Sequence, residues 1–568
     1  MRYINDLREM IISSAELYGD DTAFMVKDSH AEPYRRISFR QFREDIDSFG
    51  TALIEKGLKG GKIALIGENS YEWVVSYFAA VNGTGVIVPL DRELPAGETA
   101  MLLKRIRADA VIFSEKQKAK VLEAAGGSMY AGVMIVMNSG GCERDEDLYE
   151  WTDLKSFGRE LVRGGDKRFT DADIDCDAMC ALIFTSGTTG SSKGVMLSHK
   201  NLASNVYNLS RYVKIRRPGT GISILPMHHT YEMTCNIFTA IYQGMAMAVC
   251  EGLRHVQRNI RESQATVMVG VPLIFESMHR KIRKRAEVMG TDGRLGRMMK
   301  LTERLGLHNH QRLMRRIFAE VRSGIGESIG IFVAGGAAMN PRVIKDYESV
   351  GIPVLQGYGM TECAPIIAVH KDCWAEAESV GLAIPGTEVR ISEPDSDGIG
   401  EIICKGPSVM LGYYDNPQAT SEVLKDGWLY TGDYGKFDEE GFLYICGRKK
   451  NIIVSRNGKN IYPEEIETLL MEQPLIAEAL VYGSAGREGG DVVVKAEIFP
   501  DYDAVKARTD DVSCRNLEEI IKDVIDKVND TMPVYKQIRR FSLRECAFEK
   551  TTAHKIKKTG EAVRTEGN

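Results

Sequence analysis

Residues Lys62 to Leu90 read KIALIGENSYEWVVSYFAAVNGTGVIVPL: a short apolar run, a polar cap at Asn69 and Ser70, a helical stretch through Val81, and a second apolar run. Two strands joined through a helix cannot close as a hairpin, so the crossover forces them to pair in parallel. The same alternation returns at Ala108–Phe113 and Val133–Met137. An open α/β sheet with helices on its faces is the expected result. The chain has 568 residues, more than one core holds, and three or four domain-sized units are expected.

Composition narrows the function classes. A hydrophobic fraction of 43% with 27% charged residues is that of a globular protein, and a formal charge of −6 gives no global attraction to nucleic acid. Eleven cysteines run from Cys142 to Cys546 without a C-x-x-C pair, and Cys176 and Cys180 lack neighbours to complete a zinc site. Free thiols in a reducing compartment are expected. The opening residues MRYINDLREMIISSAELYGDD carry acids where a signal peptide needs an apolar core, and they read as an amphipathic helix. No run approaches the roughly 20 apolar residues that span a bilayer, so a cytoplasmic protein with at most peripheral membrane contact is expected.

The chemistry is announced at Leu182–Asn201, LIFTSGTTGSSKGVMLSHKN. An apolar strand, Met179 to Phe184, breaks into glycines and hydroxyls and recovers only at Val195. Gly187, Gly190 and Gly194 let backbone N–H groups turn toward an anion. Thr185, Ser186, Thr188, Thr189, Ser191 and Ser192 offer hydroxyl donors, and Lys193 offers a mobile charge. The pattern is not a Walker P-loop, because Lys193 stands between Ser192 and Gly194. It is a phosphate loop of another kind.

This stretch resembles the phosphate-loop motif of the adenylate-forming (AMP-binding) superfamily, and in particular its long-chain fatty acyl-CoA synthetase branch. The resemblance implies a large N-terminal domain over residues 1–447, built of layered, mostly parallel α/β sheets with a small β-rich subdomain. A hinge at 448–451 and a mobile α+β C-terminal lid over 452–568 follow. It implies ATP, Mg²⁺ and coenzyme A as partners of a carboxylic acid.

The remaining motifs extend the resemblance. The cluster Pro226-Met227-His228-His229-Thr230-Tyr231 ends an expected strand, Ile222–Met227, and relatives place a histidine at the position of His229, near the substrate carboxylate. IGIFVAGGAAMNP (330–341) and IPVLQGYGMTECAP (352–365) are strand-then-glycine units, both ending where a doubly wound sheet opens its crevice. Gly335, Gly336 and Ala337 would let backbone approach a base, and Tyr358 would stack on it. Gly357, Gly359 and Thr361 belong to the same nucleotide contacts. Glu362 is the implied Mg²⁺ ligand with Thr185 as second contributor. In the stretch Asp426–Glu467, Asp433 is placed to accept from the ribose hydroxyls and Arg448 to complete the clamp. Lys450 occupies the hinge position and Gly458 the place that lines the CoA tunnel. Lys555, in TTAHKIKK, stands where the family has its catalytic lysine. His554 replaces a common glycine before it, so Lys557 is the alternative register.

An acyl carrier protein as acceptor, an aryl or other acid as substrate, and a regulatory protein that binds nucleotide without turnover are the competing readings. One segment stands outside all of them. Residues 278–322 are the most basic part of the chain, with Leu301, Leu305, Leu313, Ile317 and Phe318 expected on a buried helix face. The basic side reads either as a solvated face or as a contact for anionic lipid.

Overall fold

The computed structural model describes residues 2–128, 132–138, 148–185, 192–215, 217–290, 292–307, 310–371, 377–454, 459–484, 492–506, 514–550 and 556. Lys62–Ile66 lies inside the first sheet between Val86–Leu90 and Ala110–Ser114, both parallel to it. Ser70 begins the crossover helix Tyr71–Ala79 by accepting from the Trp73 N–H at 3.1 Å, which satisfies one of the orphan donors of the first turn. That helix buries Trp73, Tyr77 and Phe78. Each such side chain contributes roughly 1.5–3 kcal/mol relative to exposure.

The first sheet has eight strands among the described residues and continues through Met179–Thr185, Lys193–Ser198 and Gly412–Tyr413. The second has nine, with a parallel centre made of Ala246–Val249, Thr220–Ser223, Val267–Gly270, Ile331–Ala334 and Val354–Gly359. A five-stranded, antiparallel third sheet holds Gly400–Lys405, Trp428–Phe437 and Leu443–Arg448. Beyond it, Ile476–Ser484, Val493–Pro500 and Arg540–Leu543 form a small sheet with the helices Pro463–Met471 and Cys514–Asn529. Ile466, Leu470, Val481, Ile498 and Ile521 make a separate core there. The α/β fold expected from the alternation is the fold observed. No helix is long and apolar enough to cross a membrane among the described residues.

Three local expectations are corrected. The strand expected over Ile222–Met227 is Thr220–Ser223, because the Asn69 side chain takes over the backbone groups that follow. Its amide donates to the Leu225 carbonyl at 2.6 Å, and its oxygen accepts from the Met227 N–H at 3.2 Å. The segment Asn138–Asp175, whose glycines and charges suggest a polar stretch wrapping the surface, contains the helix Trp151–Arg163. Trp151 and Leu154 of that helix are buried, and Trp151 packs on Phe49 of the helix Phe39–Glu55 with centroids 5.1 Å apart. In the basic segment, Phe318 is buried as expected, but Leu301, Leu305 and Leu313 are exposed by 55%, 59% and 42%. Leu295, Met299 and Met314 face the core instead, so the buried stripe is offset from the leucines.

Candidate active site

The phosphate loop hangs from a hairpin. Met179–Thr185 and Lys193–Ser198 pair antiparallel, and Thr185 stands opposite Lys193 at the open end, its hydroxyl 3.4 Å from the Lys193 carbonyl. The strands meet the loop one residue later and two residues earlier than the apolar pattern suggests. Ser186, Gly187, Thr188, Thr189 and Gly190 lie outside the described residues. Arg105, from the helix Ala96–Ile106, donates to the Ser192 carbonyl at 2.8 Å and to Tyr414 at 3.3 Å, tying the loop's second shoulder to the neighbouring strand.

The strand Gly412–Tyr413 lies beside this hairpin and joins it to the acidic candidate. The Lys193 ammonium sits 4.7 Å from the Tyr413 ring centroid, a cation–π distance, while the Tyr413 hydroxyl donates to Glu362 Oε1 at 2.8 Å. Burial and the facing carboxylate raise the Tyr413 phenol above its ordinary range. Glu362 is itself buried on the turn Thr361–Cys363, and its Oε2 accepts from no described residue. Gly359, on the strand before that turn, admits no side chain, since a Cβ would lie 2.1 Å from the Pro365 carbonyl oxygen. The close approach brings Tyr358 and Glu362 to one rim.

Asp433 and Arg448 are cross-strand partners on Trp428–Phe437 and Leu443–Arg448. Arg448 Nε is 2.8 Å from Asp433 Oδ1, and the Tyr358 hydroxyl donates to Oδ2 at 2.7 Å. Burial first, then the Asp433 charge, pushes the Tyr358 phenol well above its ordinary range. Each carboxylate oxygen thus meets a protein donor. The cluster joins Tyr358 to two strands that lie 75 and more residues further along the chain.

The histidine pair is held from the other side. His228 and His229 lie with ring centroids 4.1 Å apart, and His228 Nε2 is 3.6 Å from Asp91 Oδ2. Burial, with His229 and Arg92 nearby, holds the His228 imidazole well below its ordinary range, so it is neutral. After it the chain winds into a wide π-helical segment, Tyr231–Phe238. Such segments recur at functional sites because the extra residue per turn re-aims side chains. Tyr231 donates to the carbonyls of Val333 and Gly270 at 3.2 and 3.3 Å. Its ring fills the space a Gly335 Cβ would need, 2.9 Å away. The room expected at Gly335 for a base is therefore shared with a protein ring. Gly336 and Ala337 follow on an exposed turn. Glu232, next in line, is fully enclosed. Burial holds its carboxyl up at about 8 against hydrogen bonds from Ser223, Asn236 and the Leu225 backbone.

An apolar cleft runs from this point into the second sheet. Leu209, Val213, Cys235, Val267, Val333 and Leu355 line it, and Tyr231, Ala334 and Gly357 border it, so both glycine-bearing loops reach its edge.

At the far end of the cluster, Lys449 Nζ is 2.6 Å from Glu401 Oε2, while Glu401 Oε1 accepts from the Gly432 N–H at 3.1 Å. Asn451 bonds Glu464 on the first helix of the C-terminal part. Lys450 is exposed between them. Gly458, Lys555 and Lys557 lie outside the described residues. Sequence reasoning missed Arg105, Asn69, Tyr413, Glu232 and Glu401. Only Tyr413 left a signal, as part of an aromatic pair ending a short glycine-led run, LGYYD.

Residues 12–414 match the family model of the AMP-binding enzyme, and residues 450–563 that of the AMP-binding enzyme C-terminal domain. The chain belongs to the AMP-binding enzyme family. Relatives include a long-chain-fatty-acid CoA ligase of Yersinia pestis, 27% identical over 86% of this chain and 84% of its own length. A chloroplastic long-chain-fatty-acid acyl-carrier-protein ligase of Arabidopsis thaliana is 26% identical over 94% of this chain and 80% of its own. Among solved structures, the anthranilate CoA ligase AuaEII in complex with anthranoyl-AMP superposes with a TM-score of 0.77 over 98% of this chain and 96% of its own, at 19% identity. ATP-bound MatB from Rhodopseudomonas palustris gives 0.74 over 97% of both chains at 23%. As a member of the AMP-binding enzymes, the chain links Lys193 to Glu362 through Tyr413 and Tyr358 to Arg448 through Asp433, with the Arg448 charge also acting on Tyr413.

Proposed function

We propose that this enzyme uses ATP to activate an apolar carboxylic acid, of the medium- or long-chain fatty type, and passes the acyl group to the thiol of coenzyme A. The observation that carries the reading is the cluster of Tyr358, Asp433 and Arg448, with Lys193 and Glu362 joined through Tyr413, while the cleft bordered by Tyr231, Ala334 and Gly357 measures about 40 Å³ and adds an apolar lining. The fatty-acid ligases among the relatives support the same substrate class.

In the first half-reaction a carboxylate oxygen attacks the α-phosphorus and pyrophosphate departs, giving the mixed anhydride acyl-AMP. Charge grows on the phosphoryl oxygens, and preorganised donors and cations stabilise it. Thr185, Lys193 and the loop 186–190 are assigned to the departing pyrophosphate, and Asp433 with Arg448 to the ribose. His229 is assigned to the acid, and Lys555 to the developing negative charge as a cation. Mg²⁺ fits the donors at hand, since the open Glu362 oxygen and the Thr185 hydroxyl are hard oxygen ligands. When bound, it would offset phosphate charge. In the second half-reaction the thiol sulfur attacks the acyl carbon, AMP leaves, and the thiol proton is lost to solvent. Residues 448–451 are assigned as the hinge that exchanges Lys555 for Gly458 between the halves. No protein nucleophile is needed.

The acceptor has a second reading, an acyl carrier protein, which the Arabidopsis relative favours. Separate assays of the two half-reactions test the whole scheme. Lys555→Ala is expected to lose acid-dependent pyrophosphate release while still converting supplied acyl-AMP to thioester. Gly458→Leu is expected to do the reverse. Equal damage to both halves in both variants would refute the division. Measuring thioester on CoA and on holo-carrier protein side by side decides the acceptor.

A further inference from the structure

The basic segment 278–322 holds thirteen Lys and Arg against four Asp and Glu, in a chain whose total charge is −6. Charge is therefore segregated, with the excess of acid elsewhere. The segment folds as the helix Pro272–Val288, the helix Asp292–Arg304 and two shorter helices, Gln311–Ile317 and Ala319–Ile325. Some of its cations are used within the protein. Arg322 is buried and donates to the carbonyls of Ile329, Val350 and Gly351, and Lys284 pairs with Asp503 at 3.6 Å. Arg285 and Arg294 pair with no carboxylate among the described residues.

Those two arginines border a cavity of about 210 Å³ between the helices. Its wall is mixed: Ile282, Leu295, Met298, Phe318 and Val321 line it together with the two arginines, and Glu320 is the single acid on its lining. Small-molecule pockets usually measure about 300–1,000 Å³ and enclose most of their ligand. This one is too small to enclose an amphiphile and suits one apolar tail whose remainder lies outside. Met289, which lines the cavity, is 51% exposed, and the adjoining Val288 is 83% exposed at the end of its helix. A large aliphatic side chain left in water beside unpaired arginines is the pattern of a helix that rests in a headgroup layer.

We propose that this helical unit docks on an anionic bilayer, with Arg285 and Arg294 on lipid phosphates, Val288 and Met289 in the interface, and one lipid tail end in the cavity. Lipid surfaces of net negative charge complement the segregated charge, and a neutral surface does not. The site shares no residue with the nucleotide cluster or the apolar cleft. Docking needs no acid-activating chemistry, so it and the proposed function fail separately.

The test is co-sedimentation of the full chain with vesicles of phosphatidylcholine alone, or of phosphatidylcholine and phosphatidylglycerol in equal parts. The protein is expected to pellet with the mixed vesicles, to stay in solution with the neutral ones, and to dissociate as salt rises. Arg285→Glu with Arg294→Glu is expected to lower the partition coefficient at least tenfold, and Val288→Asp with Met289→Asp to lower it comparably. A Cβ at Gly324, on the cavity wall, meets nothing within 4 Å, so Gly324→Phe fills the cavity at constant charge and is expected to weaken binding severalfold. Lys104→Glu with Arg163→Glu, the same charge change elsewhere, is expected to bind as the unaltered chain does. Equal pelleting with neutral vesicles, no pelleting at all, or an Arg285/Arg294 variant no weaker than this control would overturn the proposal. So would a Gly324→Phe variant that binds like the unaltered chain. Decanoate below its micelle concentration serves as the last arm: if it binds the unaltered chain and not Gly324→Phe while vesicles stay unbound, the site takes free amphiphiles and the bilayer reading falls.

Discussion

Tyr413 couples the two charges that matter most for phosphate chemistry, because its ring faces Lys193 and its hydroxyl holds Glu362. Removing only the hydroxyl separates the roles. Tyr413→Phe keeps the ring under the ammonium and loses a hydrogen bond to a charged group, worth about 1.5–3 kcal/mol. Pyrophosphate release is expected to fall between about tenfold and a hundredfold, each tenfold being about 1.4 kcal/mol. Raising Mg²⁺ is expected to recover part of the loss, because Glu362 would be mispositioned and not absent. Tyr413→Leu is expected to lose more, and the gap between the two measures the cation–π contact. Neither residue type nor spacing shows this coupling in the sequence. Tyr413 is 51 positions from Glu362, and only the sheet edge brings it there.

The loop that carries His228 and His229 is fixed by elements on either side of it. Asn69, at the end of the first crossover strand, grips Leu225 and Met227, and Glu232 in the π-helical segment bonds Asn236 from within the core. The Glu232 carboxyl is raised to about 8 in the fold, against about 4.3 in an unfolded chain. The folded state therefore favours the proton. Its contribution to stability is complete below about pH 4.3, declines as pH rises, and is gone above about pH 8. Glu232→Gln keeps the shape and removes the titration. Chemical denaturation between pH 5 and 9 is expected to show stability falling less steeply with rising pH in the variant than in the unaltered chain. This carboxyl was not legible in HHTYE, since a Glu at a helix start ordinarily faces solvent. Its burial follows from a wide helical turn that no apolar period announces.

Across the whole molecule, polar links tie the small antiparallel sheet to the segment that leads into the C-terminal part. Glu401 ties Gly432, beside Asp433 on its strand, to Lys449 within the proposed hinge. Lys449 is more than half exposed, so solvent screening limits the pair to at most about 1 kcal/mol. Glu401→Gln is expected to leave the melting temperature nearly unchanged while trypsin cleaves after Lys449 or Lys450 about fivefold faster, the ratio that about 1 kcal/mol allows. High salt is expected to erase the difference. An unchanged cleavage rate at low salt would show that the pair does not restrain this segment.

Local pattern determined a good deal of this protein. The capped helix between two apolar runs forced parallel pairing. The glycine and hydroxyl run after Phe184 declared a loop for an anion, and resemblance named the distant motifs that complete it. These features are legible because turn chemistry, capping and period are properties of neighbouring residues. What needed the tertiary structure was each contact made across sheets. Tyr358 reaches Asp433 only because the end of a strand in the second sheet meets the middle of one in the third. Gly335 yields its space to Tyr231, and the exposed leucines of the basic helices reveal which face the core left over. Such pairings are set by packing between elements far apart in the chain, where one short pattern is compatible with several partners, and only the closed core selects among them.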